Sequence, residues 1–221
     1  MLKKISFLLF ILCVGGIFIL FHRSPFTCYF DTKCNDDWGR DFIVQAFKKI
    51  PPAKPGQRAL VLGADFVEEG LRFPLEKGYD LFAIDYEYTS HTETLIPDVN
   101  KAHRKITWVR DREFDFEKLP SSHLVMASFI LPFFVQKNFK SLWNKIEGSV
   151  EPGGYFVGNF FDPDTTILTG KIRSEMIFHT KKEVLNLFKN WTILDFAEVK
   201  KSFDGEHYYE IFAQKNGFEQ K

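Results

Sequence analysis

The sequence predicts an α/β protein: a doubly wound, mostly parallel sheet of seven strands with a C-terminal antiparallel hairpin, preceded by an N-terminal transmembrane helix. Three observations predict it. Short, continuous apolar runs closed by glycine or aspartate alternate with amphipathic stretches of helix length between residues 58 and 161. An Asp-Gly pair, Asp204-Gly205, joins two strand-like segments near the C-terminus. Lys3 and Lys4 stand before an uncharged, largely apolar run over residues 5–21.

That run reaches the lower limit of about 17 residues for a membrane-spanning helix. It has no polar face, which argues against a buried soluble helix. No small-x-small cleavage site follows at Leu20-Phe21-His22-Arg23-Ser24-Pro25, and no lipobox surrounds Cys13. The expectation is an uncleaved anchor over residues 1–22, a linker over 23–36 and one main domain over 37–221. A removed signal peptide is the competing reading. The cations before the span, set against Arg23 and Lys33 behind it, put the N-terminus inside and the main domain outside the cytoplasm. Cys28 and Cys34 would close a short disulfide loop there; two free thiols are the alternative.

Composition narrows the function. With 17% aromatic residues the chain is not disordered. Its 29 Lys+Arg balance 29 Asp+Glu, which argues against a nucleic-acid partner bound through a broad basic face. Three cysteines are too few for a disulfide scaffold or a four-thiolate zinc site. The 26 Phe read as core filler.

The main domain opens with an apolar-striped helix over 42–47, stopped by Pro51, Pro52 and Pro55. Ala59-Leu60-Val61-Leu62-Gly63 follows, an apolar run of the kind buried on both faces of a parallel sheet. A helix-length stretch then runs to Gly78. Further strands are expected over 80–84, closed by Asp85, over 105–110, over 123–127, and over 155–161 after the turn Glu151-Pro152-Gly153-Gly154. A helix over 138–150 places Phe139, Leu142, Trp143 and Ile146 on one face. Thr180 and Glu183 form a capping box for a helix over 180–190. The hairpin pairs 191–199 with 207–215.

In this order and spacing, residues 37–215 resemble the class I S-adenosylmethionine-dependent methyltransferases, in particular small bacterial members of the tellurite-resistance and thiopurine methyltransferase type. The residues that carry the resemblance are Ala59 to Asp65, Gly78 to Asp85, Ala127 to Phe134, Glu151 to Phe156 and Asp204 to Tyr209. The resemblance implies a Rossmann-like methyltransferase fold with S-adenosyl-L-methionine as cofactor and a small-molecule methyl acceptor. It implies cofactor contacts from Gly63, Ala64 and Asp65 in the first loop, from Asp85 and Tyr86 after the second strand, from Asp111 and Arg112 after the third, and from Ser128 after the fourth. Asp85 is the acid that would hold both ribose hydroxyls through its two oxygens.

The first loop departs from the family's Gly-x-Gly-x-Gly pattern. Gly63 is followed by Ala64, Asp65, Phe66 and Val67, and Val61 occupies the place of the usual preceding acid. Asp65, Glu68 and Glu69 add negative charge beside the expected site of a methionine carboxylate. Two readings follow: a membrane-anchored methyltransferase, and a chain that keeps the fold but serves as a membrane-tethered binding module. The first is the leading reading; the altered loop and the outward topology are what speak for the second. Other chemistry lacks its pattern. The six histidines show no metal-ligand spacing, so no metal centre is expected, and neither a nucleophile elbow nor a phosphate-binding loop is present. Phe129, Phe133 and Phe134 either wall an apolar acceptor pocket or pack beneath a loop. No catalytic residue is assigned, because a soft acceptor needs no general base, and the oligomeric state is left open.

Overall fold

A computed structural model describes residues 40–63, 68–85, 105–110, 118–133, 139–166, 173–174, 176–201 and 205–217. The expected anchor, linker and cysteine loop lie outside these residues. Among the described residues no helix is long and apolar enough to cross a membrane.

In chain order the elements are α1 (Arg40–Lys49), β1 (Arg58–Leu62), α2 (Glu68–Glu76), β2 (Asp80–Asp85), β3 (Ile106–Arg110), β4 (Ser122–Ala127), a 3₁₀ turn at Leu131–Phe133, α3 (Phe139–Ser149), β5 (Val150–Phe161), α4 (Lys181–Leu187), β6 (Trp191–Lys201) and β7 (Glu206–Lys215). The strands form one seven-stranded sheet in the order β3-β2-β1-β4-β5-β7-β6. The first five are parallel, and β7 runs antiparallel between β5 and β6. The expected sheet and closing hairpin are both present.

β1 shows why a continuous apolar run suits this place. Leu60 and Leu62 enter one core and Ala59 and Val61 the other, so the strand is buried on both faces. Ile43, Ala46, Phe47 and Ile50 of α1 and the following residue, with Leu71 of α2, join the second core. Phe139, Leu142, Trp143 and Ile146 of α3, with Val184 of α4, join the first. The capping box forms as expected: the Glu183 N–H donates to the Thr180 hydroxyl, and the Glu183 carboxylate accepts from the Thr180 N–H.

The structure changes one boundary. The expected turn before the fifth strand lies inside β5, which starts at Val150 and carries a register shift opposite Ser122 and Leu124. Gly153 has a φ of +77°, and a Cβ on Gly154 would stand 2.7 Å from the His123 carbonyl oxygen. The two glycines let the chain turn without leaving the sheet.

The hairpin glycine matters for the site. Gly205 has a φ of +69°, and a Cβ there would stand 2.0 Å from the Thr166 hydroxyl. Glycine therefore lets the loop after β5 lie directly on the turn into β7.

Candidate functional site

The order of the sheet reverses between β1 and β4, and a ligand in such a sheet binds beyond the carboxyl ends of the strands at that point. Leu62 pairs with Ile84 of β2 on one side and Ala127 of β4 on the other. The next residue of each strand is Gly63, Asp85 and Ser128, so three expected site residues meet at the reversal. Gly63 has a φ of +69° and donates its N–H to the Ile84 carbonyl at 2.9 Å. Asp85 is buried at 4% exposure and stands opposite Arg110 in the β2–β3 register. Ser128 is equally buried, and its hydroxyl has no hydrogen-bond partner among the described residues. A buried hydroxyl left this way is costly, unlike a solvated one. Ala64, Asp65, Tyr86, Asp111 and Arg112 lie outside the described residues. Val61, in the place of the usual acid, is core.

The aromatic residues after β4 divide. Phe129 is buried with a φ of +53°, and its N–H reaches the Asn159 side-chain oxygen at 3.4 Å. Its ring packs on Tyr208 at 5.2 Å and Phe161 at 6.0 Å, so it supports the loop from beneath. Phe133 is half-buried, and Phe134 lies outside the described residues.

A second polar group occupies the same edge of the sheet, between the end of β5 and the start of β7. Asp162 and His207 are both buried, with Nδ1 of the ring 3.1 Å from one Asp162 oxygen. The other Asp162 oxygen accepts from the Tyr209 hydroxyl. The His207 Nε2 lies 3.1 Å from Glu198, whose second oxygen pairs with Lys181 at 3.1 Å. Spacing along the chain did not reveal this cluster, because four separate segments supply it and the approach of Asp162 to His207 depends on Gly205.

Buried charge elsewhere sets the pH response. Burial lowers the affinity of His179 for a proton, with its ring 4.4 Å from Phe139 and 5.5 Å from Phe160. Glu210 of β7 is buried, and one of its oxygens has no hydrogen-bond partner among the described residues. Burial pushes its carboxyl up to about 7; Lys201 opposes that rise, while Asp195 and Asp41 add to it. A raised carboxyl favours folding where it is protonated and opposes folding where it must ionise. The cost is absent below the ordinary value of 4.5, grows towards pH 7 and is level above it. Glu210→Gln should therefore stabilise the protein by about 1–3 kcal/mol at pH 8 and leave it unchanged at pH 4. Chemical denaturation at the two pH values measures this, and an equal effect at both would contradict the assignment.

No family model matches the sequence, and no curated protein matches it either. Solved structures do. TehB from Haemophilus influenzae superposes with a TM-score of 0.61 at 14% identity over 80% of this chain; the match spans 62% of the TehB chain. The 1,6-didemethyltoxoflavin N1-methyltransferase of Burkholderia thailandensis, solved with its acceptor and S-adenosylhomocysteine, gives 0.58 at 18% identity over 87% of this chain and 86% of that one. The magnesium protoporphyrin IX methyltransferase of Synechocystis, solved with S-adenosylhomocysteine, gives 0.57 at 11% identity, with 82% and 83% covered. The architecture is that of the class I S-adenosylmethionine-dependent methyltransferases.

Proposed function

We propose that this protein is an S-adenosylmethionine-dependent methyltransferase acting on a small-molecule acceptor, held at a membrane by residues 1–22. The observation that carries the reading is the buried Ser128 hydroxyl, without a hydrogen-bond partner among the described residues, at the end of β4, with the buried Asp85 at the end of β2 across β1, at the point where strand order reverses. Both fit a nucleoside with an amino-acid tail. Asp85 offers two acceptors for the ribose hydroxyls, Gly63 admits a close backbone approach, and Ser128 supplies a donor that the fold leaves unused.

Fold alone does not establish an activity. The bound cofactor supplies an electrophilic methyl group. The chain's own residues align that group and keep water out, which is the main protein contribution where the acceptor is a soft nucleophile. The anchoring rests on the apolar run over 5–21 behind Lys3 and Lys4.

One preparation tests both parts. Full-length protein should stay in the membrane pellet after alkaline extraction, and S-adenosylhomocysteine at 100 times its Kd should stabilise it by about 2.7 kcal/mol. Release into the supernatant would refute the anchor. An unchanged melting temperature at millimolar ligand would refute the cofactor and leave the membrane-tethered binding module.

A further inference from the structure

We propose that Asp162, Asp164 and His207 form a binding site for a divalent first-row metal cation. One donor atom from each residue lies within 4.8 Å of the other two. Proximity of acids alone would not make a site; the state of the imidazole does. His207 is 6% exposed, and its Nδ1 is fully buried without a hydrogen-bond partner among the described residues. The Asp162 oxygen stands 3.1 Å from it but out of line for a hydrogen bond.

The other ring nitrogen explains why this matters. Nε2 donates to Glu198 at 3.1 Å, and Lys181 holds Glu198 in place. That hydrogen bond needs a proton on Nε2, and the neutral ring with this tautomer carries its lone pair on Nδ1. In that tautomer Nδ1 and the Asp162 oxygen, which also accepts from the Asp164 N–H, face each other at 3.1 Å as two electron-pair donors, an arrangement that a cation between them relieves. Neighbouring ligands on a cation with bonds of about 2.0–2.2 Å are themselves separated by about 3 Å. The observed spacing is that of two adjacent ligands.

The surroundings complete the pattern of a metal site. A carboxylate behind the ligating imidazole and a hydroxyl behind the ligating carboxylate, here Glu198 and Tyr209, are the outer partners that fix ligand orientation. Asp164 is exposed, so an ion reaches the site directly from solvent. Two carboxylates and one imidazole suit Mn²⁺, Fe²⁺ or Zn²⁺.

The test uses Mn²⁺ alone, without cofactor, so its outcome is independent of methyl transfer. Metal-stripped full-length protein titrated with Mn²⁺ and followed by electron paramagnetic resonance should bind one equivalent. Asp164→Asn, on the surface, should weaken that binding about tenfold or more at unchanged melting temperature, and His207→Gln should do likewise. No uptake at millimolar Mn²⁺ overturns the proposal, as does Mn²⁺ affinity that is the same in both variants as in the parent.

Discussion

Asp85→Asn should weaken S-adenosylhomocysteine binding by about 10- to 100-fold. A hydrogen bond to a charged acceptor contributes about 1.5–3 kcal/mol, against about 1.4 kcal/mol for each factor of ten in affinity. The carboxylate offers two such acceptors to a ribose; the amide keeps one neutral oxygen and turns a donor towards the second hydroxyl. Shape is conserved, so a side chain buried at 4% exposure keeps its packing. Isothermal titration measures the loss, and the melting temperature without ligand separates it from damage to the fold. Wild-type affinity in a folded Asp85→Asn protein would remove this crevice as the nucleoside site, whatever the sheet resembles.

That the crevice is legible in the sequence at all follows from how the site is built. Gly63 and Ser128 come one residue after a strand and Asp85 is the last residue of one, and each strand reads as an apolar run, so finding the strand finds the residue. β1 is legible because both of its faces are buried, which removes any polar alternation from Ala59 to Leu62. The start of β5 is not, because Pro152, Gly153 and Gly154 carry a turn signal although the strand runs on through them across a register shift. The Asp162–His207 cluster is hidden for a different reason. Its groups meet only after β7 inserts antiparallel beside β5 and Gly205 lets the loop approach, and no local pattern encodes a contact of that range. Phe129 shows the limit from the other side: aromatic character cannot distinguish the wall of a pocket from its support, and here the ring is support.

Phe188→Ala should lower stability by about 3–5 kcal/mol, among the largest single losses that truncating a core side chain causes. Phe188 follows α4 and is 1% exposed. Its ring lies edge-on to Trp143 at 5.0 Å and Trp191 at 5.5 Å, and 5.2 Å from Phe156. These partners come from α3, β6 and β5, so the ring ties three elements of the first core together. An alanine leaves a void lined by rigid aromatic rings, which cannot collapse as flexible aliphatic chains do, and the edge-to-face contacts vanish with it. In a domain of this size the loss corresponds to a fall of roughly 6–20 °C in melting temperature. Phe188→Leu refills most of the volume and should cost much less. Equal losses from the two substitutions would show that the ring contacts, not the filled volume, carry the effect, whereas a small loss from alanine would mean that α4 is docked by Val184 without it. Because α4 also carries the Lys181 that holds Glu198 against His207, the same variant links core packing to the polar cluster at the sheet's edge.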